Sequence, residues 1–154
     1  ADGGKLILLN DAISISEEIN NGLLMRKNLD EINYSKNKDE PTNLVQGAIF
    51  NSTVNVLSPL RYGLSQGLNF IFESLPIYTA RDSKIANATS VGMKNLLSGF
   101  VGTIANKFME ESFVLGSYYF GNGVIYQMAI NPLFRGILED GKILMGNAIF
   151  MPLR

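Results

Sequence analysis

The residue types that carry most enzymatic and metal chemistry are missing from this chain, which contains no His, no Cys and no Trp. Disulfides, zinc fingers, iron–sulfur clusters, His-ligated haem and Ser-His or Cys-His catalysis are thereby excluded within it. Only oxygen ligands remain for a metal. The acids fall largely in adjacent pairs, Glu17-Glu18, Asp30-Glu31, Asp39-Glu40, Glu110-Glu111 and Glu139-Asp140. Neighbouring side chains diverge on a helix, and no Asp-x-Asp-x-Asn-Gly calcium loop occurs. These pairs read as solvated helix ends and loops. Glu73 stands alone in Phe70-Ile71-Phe72-Glu73-Ser74-Leu75. Apolar surroundings raise a carboxyl pKa and would suit it to acid–base work. Arg81 and Lys84 follow closely, so an ion-paired surface Glu is the simpler reading.

Nucleophile and phosphate motifs fail in the same way. Ser83 and Lys84 are neighbours rather than a Ser-x-x-Lys pair, and neither G-x-S-x-G nor a phosphate-loop Lys occurs. Arg61, Arg81, Lys84, Lys94, Lys107 and Arg135 are single charges rather than a stripe, and the net charge is −1. No nucleic acid, no cofactor and no metal is expected. The chain reads as non-enzymatic.

Composition sets the next bound. The length of 154 residues suits one domain, with residues 1–35 as a possible N-terminal arm. Apolar residues make up 46 % and charged residues 18 %, with a mean hydropathy of +0.12. Sixteen Asn residues and three Asn-x-Ser/Thr sequons, at Asn33, Asn51 and Asn87, follow from this composition and imply no glycosylation. Ala1 fits removal of either an initiator Met or a signal peptide. Together with the missing Cys, it favours an exported, envelope or virion location over a cytoplasmic one.

Patterning predicts an α+β fold, with helices over about 16–34, 43–57, 59–75 and 90–111. Ser16 caps the first helix, with Glu17 and Glu18 in its first turn. The uncharged stretch Pro41–Leu60 is too rich in Asn, Ser and Thr for hydrocarbon and reads as a packed helix. Ser58-Pro59 opens the third, where Leu60, Leu64, Leu68, Ile71 and Leu75 recur at three or four residues. Met93, Leu96, Leu97, Phe100, Val101, Ile104 and Phe108 make the fourth. Lys5–Leu9 reads as a short N-terminal strand. The C-terminal third reads as β-hairpins. One runs Val114–Phe120 and Val124–Ile130 about Gly121-Asn122-Gly123. The second is Gly136–Leu138 and Ile143–Met145 about Asp140-Gly141. A membrane-spanning helix is the competing reading of the uncharged Phe113–Phe134.

Low charge, abundant Gly and Asn, and long uncharged stretches leave more apolar surface than a chain of this size hides alone. The leading expectation is a structural subunit of a virion, tail, pilus or envelope secretion assembly. Its partners would be itself or other subunits. A membrane-active or membrane-embedded protein and a carrier of an apolar small ligand are the alternatives, so a lipid membrane is also a candidate partner. The expected contact residues are Gly63, Gly67 and Leu68, together with Tyr118, Tyr119, Phe120 and Tyr126. The two glycines form a small-xxx-small pair that admits a close backbone.

Overall fold

The computed structural model describes residues 3–15, 24–27, 45–64, 67–72, 77–80 and 85–152. Of these residues, 45 % are in nine strands forming three sheets, and two α-helices are present. The first sheet has the order β1-β9-β8-β6, from β1 (Gly4–Leu9), β6 (Ala86–Val91), β8 (Ser112–Phe120) and β9 (Gly123–Met128). The second pairs β2 (Leu24–Arg26) with β5 (Tyr78–Ala80). The third has the order β4-β3-β7, from β3 (Val45–Ser52), β4 (Leu68–Phe72) and β7 (Leu96–Val101). The helices are α1 (Thr103–Met109) and α2 (Glu139–Phe150).

The α+β expectation is therefore corrected to a mostly β fold. The segment 43–57 holds strand β3. The segment 59–75 holds a 3-10 turn at Pro59–Arg61 and strand β4. Its leucines do point inward: Leu60, Leu64 and Leu68 are all buried. A spacing of four is also a multiple of two, so it suits one face of a strand as well as one stripe of a helix. The glycines break the tie. Gly63 and Gly67 sit at φ +81° and +101°, conformations that a right-handed helix does not contain. In 90–111, Gly99 takes φ +103° within β7, only Thr103–Met109 is α-helical, and the expected apolar stripe is not buried, with Leu97 and Phe100 exposed. Of the helix expected over 16–34, Leu24–Arg26 is strand, and the rest lies outside the described residues apart from Lys27.

The C-terminal third holds one hairpin, not two. β8 and β9 pair with Phe120 opposite Gly123 across the two-residue turn Gly121-Asn122. Gly121 supplies the positive φ, +56°, that such turns need. The second expected hairpin is helix α2. Glu139 and Asp140 lie in its first turn, where the helix dipole favours acids. Leu144 and Ala148 fall on one buried stripe. Asp140 also ties the helix to the third sheet, its Oδ2 accepting from Asn69 N at 3.0 Å and Asn69 Nδ2 at 2.7 Å.

The central strands of the first sheet, β8 and β9, are largely buried on both faces. On one face Val124, Tyr126 and Met128 pack into the larger core with Phe50, Phe70, Phe72, Leu144 and Ala148. The three Phe rings form an aromatic cluster with centroids 6.0 to 6.4 Å apart, within the favourable range for ring pairs. On the other face Leu8, Ile125 and Ala129 pack with Ile13, Leu24, Tyr78, Ile85 and Phe113. β1 lies parallel to β9, with Ile7 opposite Tyr126. The chain's first described strand thus closes a sheet built mainly from its last third.

Candidate interface

Between β3 and the turn before β4, the chain alternates anchors with exposed apolar groups. Val54, Leu60 and Leu64 are buried in the larger core. Between them Val56 is 73 % exposed, Leu57 77 % and Tyr62 73 %. Hydrogen bonds fix this loop. Asn55 Oδ1 accepts from Leu57 N at 2.9 Å, and Ser58 Oγ caps Leu60 N at 3.3 Å with Pro59 at the first turn position. Arg61 Nη1 donates to Val54 O at 3.2 Å. Asn147 of α2 donates from one amide nitrogen to Leu60 O at 3.0 Å and Tyr62 O at 2.6 Å. These bonds hold the apolar side chains outward on a braced backbone.

With Gly63, Met151 and Pro152, the loop walls an open cleft of about 510 Å³. Arg61 is the one charged residue among the described residues that line it. Phe150, next in the chain to Met151, is 83 % exposed. A free-standing apolar cluster of this kind marks a contact surface.

The structure separates the contact residues expected from sequence. Gly63 lines the cleft, and a Cβ there would stand 3.3 Å from Ile143 Cγ2. Gly67 stands just before β4, where a Cβ would meet Ser52 O at 2.7 Å, so its smallness serves the protein's own backbone. Leu68 and Tyr126 are core residues. Tyr118 packs half-buried on the smaller core. Tyr119 and Phe120 are exposed at the β8–β9 tip. Sequence reasoning missed Val56, Leu57 and Phe150. The available signal was an apolar pair set between turn formers, Asn55 before it and Ser58-Pro59 after it.

Titratable groups elsewhere serve structure. Lys27 Nζ donates to Phe108 O at 2.9 Å and to Glu110 O, at the end of α1. Burial lowers its pKa, against the opposing pull of Glu111 and Glu110. Burial, then Tyr119, raises the Tyr126 phenol pKa. The Ser117 and Thr89 hydroxyls and the Gln127 amide are buried with no hydrogen-bond partner among the described residues. No group of three or more His, Cys, Asp or Glu among the described residues is arranged to hold a metal. No helix among them is long and apolar enough to cross a membrane. No protein-family model, curated protein sequence or solved structure matches the chain.

Proposed function

We propose that this chain is a non-enzymatic structural subunit that docks onto neighbouring subunits of a larger assembly, of the virion, tail, pilus or envelope secretion type. The supporting observation is the braced loop that holds Val56, Leu57 and Tyr62 in solvent beside Met151 and Pro152. Side chains already fixed by the backbone lose less freedom on docking, so their burial converts more fully into affinity. Burying Leu57 or Tyr62 contributes about 2 kcal/mol each at the usual transfer values.

The test is the mass in solution by light scattering, with and without mild detergent, for the wild type and for Leu57→Asp. Leu57 is exposed, so the substitution leaves the core intact. The expected result is a defined mass above 16.9 kDa for the wild type and a smaller one for the variant. A 16.9 kDa monomer for both chains under both conditions overturns the proposal. Solubility of the wild type in detergent alone replaces it with the membrane-associated reading.

A further inference from the structure

Among the described residues, the outer edge of β1 carries unpaired backbone groups in a self-complementary arrangement. Their direction follows from the sheet register. In the β8–β9 hairpin, Ala129 N donates to Val114 O at 2.7 Å, and the register runs without a shift from Leu115–Met128 to Phe120–Gly123. Residues 123, 125, 127 and 129 therefore bond to β8, and Val124, Tyr126 and Met128 turn their N–H and C=O groups toward β1. In a parallel pair these groups bond the residues flanking their Cα partners. The Cα partners are Lys5, Ile7 and Leu9. Leu6 and Leu8 thus bond to β9, while the N–H and C=O groups of Lys5, Ile7 and Leu9 point away from the sheet. β1 is a terminal strand in the sheet order; the Leu9 C=O serves the 3-10 turn Asn10–Ile13 that follows it, and no hydrogen bond among the described residues reaches the other outward groups.

The other long edges differ. The pairings of β6 and β7 both contain register shifts, and such bulges blunt an edge against pairing. β4 is largely buried. β1 has six residues in continuous register and no Pro.

From this geometry we infer that β1 is a self-association edge, pairing antiparallel with β1 of a second copy of this chain about a two-fold axis at Ile7. This pairing narrows the assembly reading above to one partner, but rests on the backbone of β1 rather than on the cleft. Centred on Ile7, it sets Lys5 opposite Leu9 of the second copy, Ile7 opposite Ile7, and Leu9 opposite Lys5. All three are hydrogen-bonded positions, and with each Leu9 C=O engaged in its own chain about four bonds form. Leu6, 40 % exposed, meets Leu8 of the second copy. Lys5 is the one charged residue of the strand. In this register the two Lys5 residues stand about 13 Å apart along the strand, and each ammonium is already held on Ile149 O at 2.7 Å. Like charges directly opposite would oppose pairing; this register avoids them. The two four-stranded sheets become one of eight.

The experiment uses the absence of Cys from the chain. In Ile7→Cys, any intermolecular disulfide joins the two introduced thiols. Hydrogen-bonded antiparallel partners have Cα atoms about 5.5 Å apart, inside the disulfide range of about 4.4–6.8 Å. Mild oxidation is expected to give a cross-linked dimer of twice 16.9 kDa. Tyr119→Cys, at the exposed hairpin tip, is expected to cross-link far less. Ile7→Pro removes an outward N–H and leaves the β9 ladder whole; if its circular dichroism matches wild type, it is expected to run as a monomer. No cross-link at Ile7→Cys, or equal cross-linking of the two Cys variants, overturns the inference. A high wild-type mass without the Ile7 cross-link overturns the strand pairing alone. An assembly lost with Ile7→Pro but retained in Leu57→Asp overturns only the role of the cleft.

Discussion

At the scale of single residues, the two glycines inside α2 make opposite demands. Gly141 packs its Cα against the carbonyl of Pro132, and a Cβ there would lie 1.7 Å from Pro132 O and 2.7 Å from its carbonyl carbon. The obstacle is backbone, so it cannot rotate away. Gly146 has open space, with nothing within 4 Å of an added Cβ. Helix propensity alone favours Ala over Gly at both positions by about 1 kcal/mol. Gly141→Ala is expected instead to destabilise the fold by about 2 kcal/mol or more, the range of an overpacked contact. Gly146→Ala is expected to stabilise it by about 0.5–1 kcal/mol. Urea midpoints followed by circular dichroism decide both. A Gly141→Ala midpoint at or above wild type would show that the helix start shifts to make room. The same residue explains why Asp140-Gly141 looks like a hairpin turn in the sequence. Its Gly is required by a contact with Pro132, nine positions upstream, and not by a positive φ.

At the scale of elements, both helices are short, and each has its C-terminal end held by a lysine from the strand-rich part of the fold. Lys5 of β1 donates to Ile149 O and Met151 O, and Lys27, just after β2, donates to Phe108 O and Glu110 O. The last carbonyls of a helix lack internal partners, and a cation there also opposes the dipole. α1 has seven residues and α2 twelve, lengths at which an isolated helix is marginal. Lys5→Met keeps the aliphatic stem and removes the ammonium. It is expected to cost roughly 1–2 kcal/mol and to speed hydrogen exchange in the last turn of α2, with β8 and β9 unaffected. Uniform exchange across α2, equal to wild type, would mean that water replaces the ammonium without loss. What was legible at this scale had local causes. The turn Gly121-Asn122 sets its own hairpin, and the apolar run after Lys5 makes its own strand. Segment 59–75 was misread because its inward leucines fit both periods, and 90–111 because its apolar spacing imitates a helix stripe although Leu97 and Phe100 are exposed; the deciding facts are non-local. Phe50 pairs with Phe70 across sheet register, and Gly99 accommodates Ala48, whose Cα would lie 2.7 Å from an added Cβ. The cleft was illegible for the same reason. Its two walls, Val56–Leu64 and Met151–Pro152, meet through the Asn147 amide, a contact that spacing along the chain does not encode.

For the whole molecule, burying the central strands of the first sheet on both faces links stability to alkaline pH through Tyr126. Its side chain lies between the sheets, 2 % exposed, and it cannot ionise in place without putting a phenolate into the larger core. Burial raises its pKa above the ordinary 10.0, and Tyr119 adds to the shift. The unfolded chain loses this proton near pH 10, while the folded chain keeps it. Above that pH the folded state binds more protons than the unfolded state, so stability falls as pH rises, until the folded pKa is passed. Below pH 10 both states hold the proton and Tyr126 contributes no slope. Lys27 acts in the opposite sense. Burial lowers its pKa below 10.5, so the unfolded state holds the extra proton and stability rises with pH between the lowered value and 10.5. A single pH profile of the wild type therefore mixes two opposed slopes. The difference between the wild type and Tyr126→Phe isolates one of them, because Lys27 is common to both. Urea midpoints at pH 8 and pH 11 are expected to fall further for the wild type than for the variant. Ultraviolet titration of the folded protein is expected to show Tyr126 ionising above pH 10, as the difference between the wild-type and Tyr126→Phe curves. Equal falls for the two chains would mean that water reaches the phenol at high pH, and that the two sheets part there well before the protein unfolds.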